Sequence, residues 1–317
     1  MKEFVIIFFS ICSGFCLMGQ KKWVVSKNSD GNFSNVQAAL DAIPKNNKET
    51  VVIFIRKGIY REKLHLDSTK DLVVLEGEDK FNTILTYNDH TGKIAPTGET
   101  INTRTSWSFI IKANDFKATN LTFENDAGFT AGQAVAVEVQ GDRASFFNCR
   151  FIGNQDVLFT NNDNSRQYFA DCYIEGTTDF IFGSSTAWFE RCHIHSKKNS
   201  HVTASASPLK NAFGYVFNEC ILTSDSSVTR VSLGRPWQPY ASVTYIRCYL
   251  DRHIISQGWD NWRNPANEKT ARYSEFENYG PGANVHQRVP WSKQLTKMEA
   301  EQCGVERVLR GWEIGKG

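Results

Sequence analysis

ASFFNCRF, residues 144–151, is preceded by FKATNLTF at 116–123 and followed by YFADCYI at 168–174, WFERCHI at 188–194, YVFNECIL at 215–222 and VTYIRCYL at 243–250. The unit is an aromatic strand, a polar residue, a small Cys and an alternating apolar pair. The cysteines recur at intervals of 23 (149 to 172), 20 (172 to 192), 28 (192 to 220) and 28 (220 to 248). A period of this size, with short strands and no helix between them, marks a solenoid of stacked coils. The unequal intervals mean that loops of different length leave one framework. A right-handed parallel β-helix accounts for this best. Corresponding residues of successive coils then lie about 4.8 Å apart, and Cys149, Cys172, Cys192, Cys220 and Cys248 form an inward ladder. A sandwich would need hairpin turn signals between the strands, and these are sparse.

Upstream, Trp23 to Val25 reads as a first strand. Apolar residues at 33, 36, 39, 40 and 43 have helical spacing, and Pro44 ends the helix, so 33–43 is predicted to cap the N-terminal end of the stack. Strands follow at 51–55, around 64–66 and at 72–77. Downstream, 258–290 is rich in Asn, Gly, Pro and aromatics and reads as loop. The segment 292–302 has helical composition and is expected to cover the other end or lie along the side. The fold class is therefore all-β, a single-stranded right-handed parallel β-helix with an N-terminal capping helix.

The 317 residues, 41% hydrophobic and 13% aromatic, suffice for a large core, and a net charge of +2 argues against nucleic acid as a partner. Lys2 precedes an apolar run from Phe4 to Met18. The run falls short of the roughly 20 residues of a membrane span and suits the apolar region of a signal peptide. Residues 1–19 are read as that signal, with cleavage after Gly19, and 20–317 as the β-helix domain. The expectation is a secreted or periplasmic protein, off the membrane after cleavage. Lipid attachment at Cys16 is disfavoured by bulky Phe15 beside it. The six cysteines beyond the signal lack zinc-type CxxC pairs. Export permits disulfides, and buried thiols are an equal alternative.

Four runs set polar residues among apolar ones: QAVAV (133–137), GNQDVL (153–158), DFIFG (179–183) and LGRPW (233–237). The steps from 133 to 155 (22) and from 156 to 179 (23) match the coil period. Gln133, Gln155 with Asp156, and Asp179 therefore stack on one wall, with Arg235 reaching back from a later coil. Two nearby carboxylates resist joint ionisation, so one can keep its proton, and the pair can supply a nucleophile and a general acid. The Gln amides can meet an oxyanion, and Arg235 can hold one Asp by a bidentate bond. Trp237 and Phe182 offer flat faces to a sugar ring. His65, His193, His195 and His201 show no metal spacing. Trp259 and Trp262 fit either a groove or packing on the solenoid.

These runs, with GIYRE (58–62) and LTFEN (121–125), resemble the pectinesterases (pectin methylesterases) from about Trp23 to the C-terminal region. Val157 stands where the family usually has Thr, and Val137 where Leu is common. The resemblance implies a pectin-lyase-like solenoid that hydrolyses methyl esters of homogalacturonan, with no metal or organic cofactor. It makes Asp179 the nucleophile, Asp156 the general acid and base, Gln133 and Gln155 the oxyanion amides, and Arg235 the residue that holds Asp179. Thr103 and Trp237 match substrate-contacting positions. In some members a disulfide joins the cysteines corresponding to Cys172 and Cys192, a bond open to this chain. A monomer with a shallow groove suits a polymeric substrate. A lyase or polygalacturonase on the same scaffold, a non-catalytic carbohydrate binder and an esterase for another ester, such as a thioester, are the alternatives. A lyase would want clustered carboxylates for calcium and a base, whereas two Asp, two Gln and an Arg fit acyl transfer.

Overall fold

The turn in front of each repeated cysteine, and of Leu121 one coil earlier, shows how the coil closes. Asn120, Asn148, Asp171, Arg191, Glu219 and Arg247 all have φ between 48° and 55°, the left-handed region that Asn and Asp tolerate best. One such residue bends the chain sharply. Two residues then suffice to pass from Ala144–Phe147 to Arg150–Ile152, and from Arg166–Ala170 to Tyr173–Gly176. The computed structural model describes residues 22–314, and the predicted signal peptide falls outside the described residues. Eleven strands form the first sheet, eight the second and seven the third, and each coil contributes to the sheets in turn. The architecture is a right-handed parallel β-helix.

Register makes the core a stack of like residues. Phe146, Phe169, Phe189, Phe217 and Tyr245 are successive partners in the first sheet. Their ring centroids are 4.9, 4.8, 4.4 and 4.4 Å apart, and successive planes agree within 9°. Each such ring lies three residues before a ladder cysteine. Cys149, Cys172, Cys192, Cys220 and Cys248 are buried, and all are free thiols. The disulfide open to Cys172 and Cys192 is therefore not formed. Burial among apolar side chains pushes the Cys149 thiol up to about 12, which keeps it protonated and unreactive.

The predicted cap is present but shorter than 33–43. The helix spans Val36–Ala42, with Val36, Ala39 and Leu40 buried. Phe33 instead bridges to Val25, because Asn35 serves as N-cap, its Oδ1 accepting from the Ala38 N–H at 2.8 Å. Glu62, the last residue of GIYRE, accepts the Val36 and Gln37 N–H groups at 2.9 Å each. That motif residue ties the cap to the first coils.

The 258–290 segment is not all loop. Arg272–Phe276 forms a further strand beside Ser242–Ile246. Its pattern hides because Glu275, not an aromatic, pairs with Tyr245. Arg288 binds the buried Glu275 through Nε at 2.8 Å and a terminal nitrogen at 3.1 Å, with Asn278 and the Trp259 indole N–H also donating. The ring stack thus gives way to a buried ion pair. The tail lies along the side: Ala300, Cys303, Val308 and Leu309 pack on Trp188, Val216, Ile246 and Phe276. Among the described residues, no helix is long and apolar enough to cross a membrane.

Candidate active site

The seven-stranded sheet carries the polar wall. Val137–Val139, Leu158–Thr160 and Ile181–Gly183 are adjacent strands in parallel register. Gln133 bridges to Gln155 just upstream. Leu158 pairs with Ile181, so Asp156 and Asp179, each two residues earlier, face one another across adjacent coils. Both have left-handed φ, 63° and 50°. Their N–H groups stay in the coil network, donating to Thr178 O at 3.1 Å and His201 O at 2.9 Å. In the DFIFG motif, Gly183 has φ 125°, and a Cβ there would stand 2.0 Å from Thr160 O. That glycine is required by close approach of two coils.

Arg235 reaches Asp179 from two strands further along. Its Nε donates to Asp179 Oδ1 at 3.0 Å and a terminal nitrogen to Oδ2 at 2.6 Å, a bidentate bond. The reach is possible because Ala204 is the partner of both Phe182 and Arg235, and its short side chain leaves a gap over the intervening strand. The guanidinium carbon lies 3.7 Å from the Trp262 ring centroid, so one face is stacked while its edge binds carboxylate.

The two carboxyls differ. Asp179 is 5% exposed and Asp156 8%. Burial raises both above the usual carboxylate range, but at Asp179 the Arg235 bond and charge oppose the rise. The Asp156 carboxyl has no hydrogen-bond partner among the described residues. Burial, reinforced by the Asp179 charge, pushes it well up. Of the two, Asp156 is therefore held further toward its protonated form, while Arg235 favours the ionised form at Asp179. The Gln133 and Gln155 amides also have no protein partner among the described residues, so their N–H groups are available to a ligand. No group of three metal-ligating side chains occurs among the described residues.

Every site residue named from the sequence lines one cleft of about 590 Å³. Phe182 stacks on Phe159 with centroids 4.3 Å apart, and Trp237 lies 5.8 Å from Phe182. Thr103 sits on a short turn, Thr103–Thr105, with its hydroxyl 3.3 Å from that of Thr91. Asn125 of LTFEN anchors this region, donating to the carbonyls of Asp89, Ser106 and Val135 at 2.9, 3.1 and 3.1 Å. The two undecided tryptophans separate: Trp259 is buried against Tyr273 and Tyr245, whereas Trp262 lines the cleft. Sequence reasoning missed Phe159, Ala204, Asn102 and Arg104. Phe159 carried a signal, since 159 to 182 repeats the step of 23 from 156 to 179.

An arginine-held carboxylate, a second carboxyl that burial raises toward its neutral form and two open amides suit acyl transfer. Comparisons with known proteins place the chain in a family. Residues 22–311 match the family model Pectinesterase. Pectinesterase 31 of Arabidopsis thaliana is 41% identical over 281 residues, covering 87% of this chain and 88% of that protein. Among solved structures, the pectin methylesterase from carrot superposes with a TM-score of 0.85 at 29% identity, covering 93% of this chain and 94% of that one. A pectin methylesterase in complex with a hexasaccharide gives 0.83 at 28% identity, covering 93% and 98%. With the fold, the motifs and the cleft in agreement over nearly all the described residues, the chain belongs to the pectinesterase family, enzymes that hydrolyse carboxylic esters.

Proposed function

We propose that this chain is exported and hydrolyses the methyl esters of homogalacturonan, yielding pectate and methanol, with Asp179 as nucleophile. The ionised Asp179 carboxylate attacks the ester carbonyl carbon. The negative oxygen of the tetrahedral intermediate takes hydrogen bonds from the Gln133 and Gln155 amides. Asp156 gives its proton to the departing methoxide as the carbon–oxygen bond breaks, leaving an acyl group on Asp179. Asp156, now ionised, takes a proton from water. The resulting hydroxide attacks the acyl carbon, and Asp179 leaves as carboxylate. Arg235 fixes Asp179 throughout, while Trp237, Phe182 and Thr103 contact the sugar chain.

The observation that carries this reading is the bidentate Arg235–Asp179 bond beside a buried Asp156 carboxyl with no hydrogen-bond partner among the described residues. Pectin as substrate is supported by the aromatic cleft and by the similar enzyme crystallised with a hexasaccharide. Export is supported by the apolar run from Phe4 to Met18 after Lys2. The test is methanol release from pectin set against hydrolysis of small acyl esters and acyl thioesters. Pectin is expected to be the preferred substrate, and Asp179→Ala is expected to abolish turnover. Full activity in that variant, or a preference for thioesters, rejects the assignment.

A further inference from the structure

The second sheet carries a pocket of about 490 Å³ on a different face of the solenoid from the cleft. Arg150, Tyr173 and His193 are partners on three successive strands of that sheet. They alternate with the buried Phe151, Ile174 and Ile194 and so point outward. Phe81 joins them from the turn before Thr83–Tyr87, with its side chain 59% exposed. That turn is fixed by Asp79, whose Oδ1 accepts the Phe81 and Asn82 N–H groups at 2.8 and 3.1 Å. The Arg150 guanidinium carbon lies 5.1 Å from the Phe81 ring centroid and 5.7 Å from that of Tyr173. His193 meets Tyr173 edge-on, with centroids 5.1 Å apart.

Three cations, Lys80, Arg150 and Arg191, line this pocket against one carboxylate, Asp171. Asp171 neutralises Arg191 through two bonds of 3.0 Å. Arg150 and Lys80 have no carboxylate partner among the described residues. Arg150 makes one long bond, 3.4 Å, to the Thr122 hydroxyl, and Lys80 donates to the Asn148 side-chain oxygen. Two open positive charges therefore stand beside two aromatic faces, an arrangement that suits a polymer whose units pair a carboxylate with a sugar ring. The coil that supplies Arg150 runs on to Asp156, and the coil that supplies Tyr173 runs on to Asp179. Pocket and cleft thus lie at one level of the stack, on successive faces.

We propose that the pocket formed by Phe81, Arg150 and Tyr173 is a second, non-catalytic binding site for demethylated galacturonan, which anchors the enzyme on the polymer while the cleft works on another segment. The choice of ligand rests on the pectin reading above. A carboxylate accepts two charge-assisted bonds from the guanidinium fork, whereas a methyl ester carries no charge and cannot match it. Once a demethylated segment is held at the pocket, the meeting of the cleft with the same polymer becomes intramolecular, and the effective substrate concentration rises. An oligomer that fills the cleft alone gains nothing from the pocket.

The test compares the parent chain with Arg150→Gln and Phe81→Ala by three readouts: retardation in native gels containing polygalacturonate, KM on long, partly demethylated pectin, and kcat/KM on methyl-esterified trigalacturonate. Arg150→Gln is expected to weaken the retardation and to raise KM on pectin about tenfold, the scale of one hydrogen bond to a charged group, with kcat unchanged. Phe81→Ala is expected to act in the same direction, and both variants should match the parent on the trimer. Retardation and KM at parent values in both variants overturn the proposal. An equal loss on the trimer also overturns it, because the residues would then act through the cleft or the fold. Polyglutamate that retards the parent as strongly as polygalacturonate overturns the assignment to galacturonan and makes the pocket a general anion patch. Failure of the esterase reading shows separately, as absence of methanol from pectin, since retardation by polygalacturonate needs no turnover.

Discussion

Asp156 and Asp179 occupy equivalent positions on adjacent coils, with φ of 63° and 50°, yet only Asp179 is held by a guanidinium. The solenoid makes the two carboxyls near-copies in backbone, and one long side chain arriving from two strands away makes them chemically unlike. Burial alone would raise both, and a pair raised equally would have no defined nucleophile. Arg235 breaks the symmetry by favouring the charged form at Asp179.

Replacing Arg235 should therefore move the pH profile. In Arg235→Lys the bidentate bond is lost, its lowering influence on Asp179 weakens, and the carboxyl rises further. Activity needs that carboxyl ionised, so the acid limb of kcat/KM against pH is expected to move to higher pH. Misplacement of the nucleophile should cost roughly 100-fold in rate. An acid limb that stays in place would separate Arg235 from the ionisation of Asp179.

Gln155→Leu removes one amide donor from the cleft without touching either carboxyl. Loss of one oxyanion donor typically costs about 10²–10³ in kcat, and KM should change little because the bond matures in the transition state. Steady-state kinetics on pectin decides this. A rise in KM at constant kcat would make Gln155 a substrate-binding residue only.

Asp156→Asn should stabilise the protein while destroying turnover. Burial raises the folded-state pKa of Asp156, so above about pH 4, the ordinary carboxylate value, the folded chain holds this proton more tightly than the unfolded chain. Its stabilising contribution is complete at low pH and is lost as pH rises toward the raised folded value. Asn carries no such charge. The variant is expected to have a higher Tm than the parent at pH 7, with the gap narrowing toward pH 4. A gap that widens on acidification contradicts the assignment of the proton to Asp156.

Arg288→Met would leave the buried Glu275 carboxylate without its cation. Breaking such a pair by removing one partner costs about 3–5 kcal/mol. Urea unfolding is expected to show a loss of that size. A loss below about 1 kcal/mol, the scale of an exposed ion pair, would mean that the pair does not hold the last coil.

Much of the site was readable because a β-helix turns a linear interval into a spatial neighbour. Gln133 with Gln155, and Asp156 with Asp179, were placed together by their spacing, and the register confirms both pairings. Phe159 obeyed the same arithmetic and could have been found by it. The strand Arg272–Phe276 was lost because Glu275 replaces the expected ring and an ion pair does the work of the aromatic stack. Arg104 gave no signal, since its turn lies outside the repeat.

The sequence by itself determined the coil period, the inward ladder of rings and cysteines, and the wall on which two carboxylates and two amides stack, because strand register is written in repeating local pattern. Contacts between distant coils settle which carboxyl Arg235 binds, that Trp262 and not Trp259 faces the cleft, that the ladder cysteines are free thiols, and that Arg104 stands over Phe159 with no ion-pair partner among the described residues. Those outcomes depend on how far a side chain reaches and what fills the gap across strands distant in the chain. Ala204 is the clearest case: its small side chain lets Arg235 cross to Asp179, and no periodicity in the sequence marks it.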